Sequence, residues 1–266
     1  MRLRYTQSGH IFIGPKDDPQ SIARAMVKTG CDEEFCIADN FAPDFIARLM
    51  AAGFLVMSMG FDGPGDGGGA GSGMEYILLP KLHLERSIIF FENFHEPCSA
   101  RRLIPRYELR VDLGADHTGD FDVILDRCAA VHGEDWLTPP LRESIRAIRR
   151  RSLREPSLQT GSPAVSNHAG VQPVSFGLYR EERLAAGEFG VVAGKVYTSY
   201  SGYYDEDSAG TVQLILTGRY LRDAGFAFWD LGMPLEYKTR LGARSVDREN
   251  FLKLRQFQNN EKGCPK

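Results

Sequence analysis

The stretch PVSFGLYREERLAAGEFGVVAGKVYTSYSGYYD (173–205) decides how this chain is read. PVSFGLY, LAAGEFGVV and KVYTSY combine β-branched, aromatic and small residues, and REER and Ala193-Gly194 punctuate them as tight connections. Three meandering strands are expected. Acid follows at once, at Asp205, Glu206 and Asp207. From Ser208, which reads as a cap, Val212, Ile215, Leu216 and Tyr220 recur at helical spacing until Gly225. FAFWDL (226–231) reads as a buried strand, and DRENFLKLRQF as a closing helix. Strands, then a helix, then a strand specify an α+β core. The hydroxyl-rich strand end VYTSYSGYYD (196–205) is aimed at a helix start, where enzymes commonly gather phosphate. Three carboxylates at that start disfavour a pyrophosphate, and with it coenzyme A.

Upstream, Asp17-Asp18-Pro19 leads into a capped helix ending at Gly30, and Asn40 to Gly53 repeats the pattern with Pro43 in its first turn. FLVMSMGF reads as a short strand. GFDGPGDGGGAGSGME (60–75) is glycine-rich but lacks G-K-[ST] and has only acidic charge, so it reads as a surface insertion (60–74), not a phosphate loop. YILLP and KLHLERSIIFF restore ordered sequence, YELRVDL alternates as a strand, and 120–132 is helical behind Asp120. The helix opened by Pro139 and Pro140 ends in Arg146, Arg149, Arg150, Arg151 and Arg154. Such a cluster suits either a phosphate backbone or simply a helix carboxyl end. Residues 155–172 read as a polar linker. The expected organisation is a small N-terminal domain (1–104) and a second domain (105–266).

With 42% hydrophobic and 25% charged residues the chain falls among folded globular proteins, and a net charge of −3 excludes a globally basic nucleic-acid binder. The absence of a signal-type or membrane-spanning apolar run leads us to expect a cytoplasmic protein with no membrane partner. Five cysteines and six histidines show no metal-ligand spacing, so reduced thiols and no metal are expected.

Asp230 ends the strand FAFWD behind Trp229. A carboxylate there is a candidate proton acceptor; a helix cap for 234–242 or a structural salt bridge are the alternatives.

The strand, helix and strand order resembles the acyl-CoA N-acetyltransferase (GNAT-like) fold. More specifically, SFGLYREERLAAGEFGVVAGKVYTSYSGYYD (175–205) and FWDLGMPLEYKTRLGA (228–243) resemble the leucyl/phenylalanyl-tRNA–protein transferase family. DWLTPPLRESIRAI, PKLHLERSI and NFAPDFIARLMAAGFLVMS resemble upstream segments of that family in the right order. The resemblance implies a small N-terminal domain, a GNAT-like second domain and no cofactor or metal. It implies transfer of leucine or phenylalanine from aminoacyl-tRNA to a protein's N-terminal Arg or Lys, marking it for degradation. A monomer is expected. A divergent acyltransferase with another donor or acceptor, and a non-catalytic binder of tRNA or N-termini, are the alternatives.

Carried over by position, Asp230 matches the Asp of the family's D-C-Q and Trp136 its adenosine-stacking Trp. Tyr197, Tyr200, Ser201 and Leu214 fall in the implied pocket, and the arginines of 146–154 in the implied tRNA contact. The sequence departs from the family at Gly232 for Gln, Tyr200 for Glu and Glu188 for the pocket Met. If Glu188 points inward the pocket is polar; strand alternation also allows it to face solvent.

Overall fold

The structure, a computed structural model, describes residues 3–63, 74–113, 120–133, 135–154 and 170–260. The N-terminal elements are β1 (Ile11–Phe12), α1 (Pro19–Lys28), β2 (Cys36–Ile37), α2 (Pro43–Ala51), β3 (Leu55–Asp62), β4 (Met74–Lys81) and β5 (Glu85–Ile89). There follow α3 (Cys98–Arg101), β6 (Glu108–Asp112), α4 (Phe121–His132) and α5 (Pro139–Arg154). The quoted meander forms β7 (Val171–Arg180), β8 (Arg183–Ala193) and β9 (Val196–Tyr204). Next come α6 (Ala209–Asp223), β10 (Phe228–Asp230), α7 (Glu236–Arg240), β11 (Arg244–Asp247) and α8 (Arg248–Asn260).

A seven-stranded mixed sheet in the order β11-β5-β10-β9-β8-β7-β6 organises the chain. Its pairs are antiparallel except β9 with β10, and α6 supplies the crossover that this parallel pair needs. β5, from the first 104 residues, lies inside this sheet. Ile11, Phe45 and Phe54 share one apolar cluster with Phe189 and Phe228, so residues 1–104 share both sheet and core with the rest. A second cluster, built on Phe176, Tyr197, Trp229 and Leu221, fills the face under α6. The sheet is thus covered on both faces.

Local chemistry accounts for these boundaries. Pro19 opens α1 and the Asp18 carboxylate accepts from the Gln20 and Ser21 amides. The ends of the glycine-rich run are paired strand, with Gly60 opposite Tyr76 and Asp62 opposite Met74. Residues 64–73 and 155–169, where the insertion and linker are expected, lie outside the described residues. Val171 and Gln172, read as linker, instead pair with Ala193 and Val192. α6 starts at Ala209, directly after Ser208 as expected of a cap residue. Ser208 is left-handed (φ 67°) and its side chain makes no cap bond.

The register between β8 and β9 shifts at Phe189/Gly190, leaving Tyr200 as the extra residue. Gly190 permits the close approach: a Cβ there would stand 2.2 Å from the Thr198 carbonyl oxygen and 2.6 Å from the Tyr197 ring. Gly190→Ala is expected to cost about 1–3 kcal/mol, seen as a lower urea midpoint at unchanged slope. An unchanged midpoint would show that the backbone yields freely there. Cys31, Cys36, Cys98 and Cys128 are free. Among the described residues no helix is long and apolar enough to cross a membrane.

Candidate active site

β10 pairs with β9 only from Val196 to Thr198, after which β9 runs on to Tyr204 with β8 alone beside it. Where the two parallel strands part, a cavity of about 560 Å³ opens at their carboxyl ends. Its walls come from Glu188, the end of β9 from Ser199 to Tyr204, the first turns of α6, and Leu231, Tyr237 and Lys238 beyond β10. Parting strands at the carboxyl edge leave backbone groups without a sheet partner, which is why ligand sites collect at such places.

Glu188 points into this cavity and is only 4% exposed. Its Oε1 accepts from the Tyr197 hydroxyl (2.8 Å) and the Ser199 hydroxyl (2.9 Å). Ser199 Oγ in turn accepts from the Trp229 indole N–H at 2.8 Å. Burial pushes the Glu188 carboxyl up to about 7, although both hydroxyls and, less strongly, the charge of Lys238 favour its ionised form. Lys238 donates from Nζ to the Leu231 and Met233 carbonyls (2.6 and 2.8 Å), and burial lowers it to about 8. On the opposite wall His132 donates from Nε2 to the Gly202 carbonyl at 2.8 Å.

Asp230 lies elsewhere. It is fully buried and is not part of the cavity wall. Arg86 grips it twice, Nε to Oδ1 at 3.1 Å and Nη2 to Oδ2 at 2.6 Å. The Thr198 hydroxyl (3.1 Å) and the Gly232 amide (3.0 Å) complete its shell. Burial alone would raise this carboxyl, and the Arg86 guanidinium more than offsets it, so it lies below the usual carboxylate range. Arg86 Nη1 also donates to His83 Nδ1 at 2.7 Å; burial and that guanidinium depress His83 to about 3, so its ring is neutral. Of the alternatives open at Asp230, the geometry is that of a buried ion pair, tying β5 to β10 and β9 just behind the cavity. Arg86 was not singled out from the sequence. A lone arginine between Leu84 and Ile88-Ile89 in a strand is the signal that could have marked it.

Tyr200, Ser201 and Leu214 line the cavity. Tyr197, expected in the pocket, is entirely buried and reaches it only through Glu188. Trp136 is half-buried and stacks on Phe189, with centroids 6.5 Å apart and planes 2° from parallel, away from the cavity wall. The arginine cluster is largely engaged. Arg146 meets Asp122 (3.0 Å) and Asp126 (2.6 Å), Arg150 meets Glu143 (2.6 Å), and Arg151 pairs with Asp44. Arg149 is buried, pairing with Asp112 and donating to the Pro173 carbonyl at 2.8 Å, so it does not face solvent. Arg154 is exposed. At the start of α6, Asp205 pairs with Arg127 (2.6 Å) and Glu206 accepts from Tyr107 (2.9 Å) and Arg180 (3.2 Å). Asp207 borders the cavity.

A family model of the leucyl/phenylalanyl-tRNA protein transferases matches residues 88–256, a range that includes every residue lining the cavity. The chain belongs to this family. A leucyl/phenylalanyl-tRNA–protein transferase of Pseudomonas aeruginosa is 24% identical over 169 residues, covering 62% of this chain and 65% of the relative. One from Pseudomonas putida is 25% identical over 171 residues with the same coverage. The match thus spans just under two thirds of the length of these family members. Among solved structures, FemX aligns over 95% of this chain and 84% of its own, at 10% identity and a TM-score of 0.44.

Proposed function

We propose that the chain transfers the aminoacyl group of an aminoacyl-tRNA to the N-terminal amine of a protein, marking it for degradation. The observation that carries this reading is the cavity at the parting of β9 and β10, lined wholly from the segment that the family model matches. The amine nitrogen attacks the carbonyl carbon of the ester. A C–N bond forms, the C–O bond to the ribose breaks, and the ribose hydroxyl leaves with the proton that the amine gives up. The ester is already activated and an α-amine has a pKa of about 8, so positioning contributes more than a strong base.

Asp230 is proposed as the orienting carboxylate: with Arg86 it fixes the ends of β10 and β9 from behind. Tyr200, Ser201 and Leu214 are proposed to contact the donor, with Tyr197 supporting them through Glu188. Trp136 is the proposed stacking partner of the adenosine. Asp207, at the cavity border, suits a cationic acceptor such as an N-terminal Arg or Lys. The exposed Arg150, Arg151 and Arg154 are the proposed tRNA contacts, acting from a monomeric, cytoplasmic protein.

The test uses tRNA charged with labelled amino acids and peptides beginning with Arg, Lys or Ala. Transfer to the Arg and Lys peptides is expected. It should fall by about 100-fold in Leu214→Trp, whose indole would occupy the cavity and displace the ester. Absence of transfer with every charged tRNA, at concentrations where the tRNA binds, would sink the catalytic reading and leave a binding protein.

A further inference from the structure

Hydrogen-bond accounting at the inner end of the cavity identifies what can be placed there. The Trp229 indole has only an N–H to give, and it gives it to Ser199 Oγ. Ser199 therefore turns its own proton to Glu188 Oε1, and Tyr197 spends its proton on the same oxygen. Both hydroxyl donors are consumed. Among the described residues Oε2 has no hydrogen-bond partner and Glu188 has no ion-pair partner. Lys238, the cation on the same wall, directs its Nζ to the Leu231 and Met233 carbonyls instead. The end of the cavity thus presents one acceptor, on a side chain 4% exposed, to which no donor among the described residues is hydrogen-bonded. Around it, Leu214, Leu231 and the Tyr200 and Tyr237 rings provide apolar walls.

We infer that Glu188 is the specificity-determining residue for the donor, and that the cavity takes an aminoacyl group whose side chain ends in a cationic hydrogen-bond donor, an ammonium or guanidinium on an aliphatic stem. This rests on the aminoacyl-transfer reading above and narrows it. An aliphatic or phenyl side chain packed against Glu188 would remove Oε2 from water and return no hydrogen bond. A stem with a terminal cation covers the apolar walls with its methylenes and delivers a donor to Oε2. The carboxyl's displacement to about 7 agrees, because such a group is ready to ionise when a cation arrives. A site built to hydrogen-bond a ligand group discriminates strongly against analogues without it.

The test measures binding of non-hydrolysable 3′-aminoacylamino-3′-deoxyadenosines carrying lysyl, arginyl, leucyl or phenylalanyl groups, by titration calorimetry on the full chain. In the wild type the lysyl or arginyl compound should bind at least about tenfold tighter than the leucyl and phenylalanyl ones. Glu188→Met should reverse that order, and Glu188→Gln should weaken it while keeping an acceptor in place. Tighter leucyl or phenylalanyl binding by the wild type overturns the inference and leaves aminoacyl transfer standing. So does a preference that Glu188→Met does not move. Failure of all four compounds to bind removes both. The wild-type order tests the cationic preference whether or not either variant folds, and the variants test its assignment to Glu188.

Discussion

Arg86→Met is expected to lower the unfolding free energy by about 3–5 kcal/mol at neutral pH, a loss of roughly 10 °C in melting temperature. The reason lies in what remains. Asp230 is fully buried, and without Arg86 it keeps the Thr198 hydroxyl and the Gly232 amide as hydrogen-bond partners, with the Arg255 charge acting on it but not hydrogen-bonded to it. Arg86 also lies over the Phe251 ring, 4.6 Å from its centroid, so the change loosens the packing of α8 on the sheet. The effect should depend on pH in a defined sense. The native carboxyl is held below its ordinary 3.8, so the pair stabilises the fold above that pH and loses this contribution as pH falls through the native value. The gap between wild type and Arg86→Met should therefore narrow on acidification below about 4. Adding Asp230→Asn to Arg86→Met should recover part of the loss, because the unpaired charge is then gone. Equal urea midpoints for wild type and Arg86→Met would show that the pair does not hold the strands.

Much of the architecture was legible in residue spacing. The meander, α6 and β10 were read close to their observed bounds, because apolar periodicity, β-branched residues and turn residues agree there. The Glu181-Glu182 turn was found from its composition, although both residues are left-handed (φ 49° and 64°), a conformation more typical of Asn-Gly. What escaped were elements too short to carry a period, such as β1, β2 and β11, and the fact that β5 enters the central sheet. Pairing between residues 88 and 230 is a tertiary fact that no local pattern contains. The site followed the same division. Tyr200, Ser201 and Leu214 line the cavity. Asp230 was placed at the right strand end, but its side-chain direction depends on alternation past Trp229, which sends one residue to each face. Strand alternation alone allows Glu188 to face either cavity or solvent, because the register shift at Phe189/Gly190 cannot be read from the strand itself.

That inward carboxyl leads to the second large effect. Glu188→Gln should be more stable than wild type at pH 8, and the advantage should vanish at acid pH. The native carboxyl sits near 7 and the unfolded one near its ordinary 4.5. Keeping the acid protonated in the native state costs nothing below 4.5, so stability is fully present there. As pH rises from 4.5 to 7 the unfolded chain releases its proton first and wild-type stability is lost; above 7 the penalty is complete. A displacement of this size corresponds to about 3 kcal/mol at most, reached on the alkaline side. Glutamine keeps an oxygen for the Tyr197 and Ser199 hydroxyls and has no charge to desolvate, so its stability should be nearly flat over the same range. The rest of the chain is common to both proteins, and the difference between their urea midpoints at pH 4.5, 6 and 8 isolates Glu188. A difference that stays constant from pH 4.5 to 8 would mean that the carboxyl is already charged and compensated in the free protein. With a lysyl or arginyl adenosine compound bound, the wild-type deficit at pH 8 should shrink, because the ligand's cation supplies the partner that the protein withholds from Oε2.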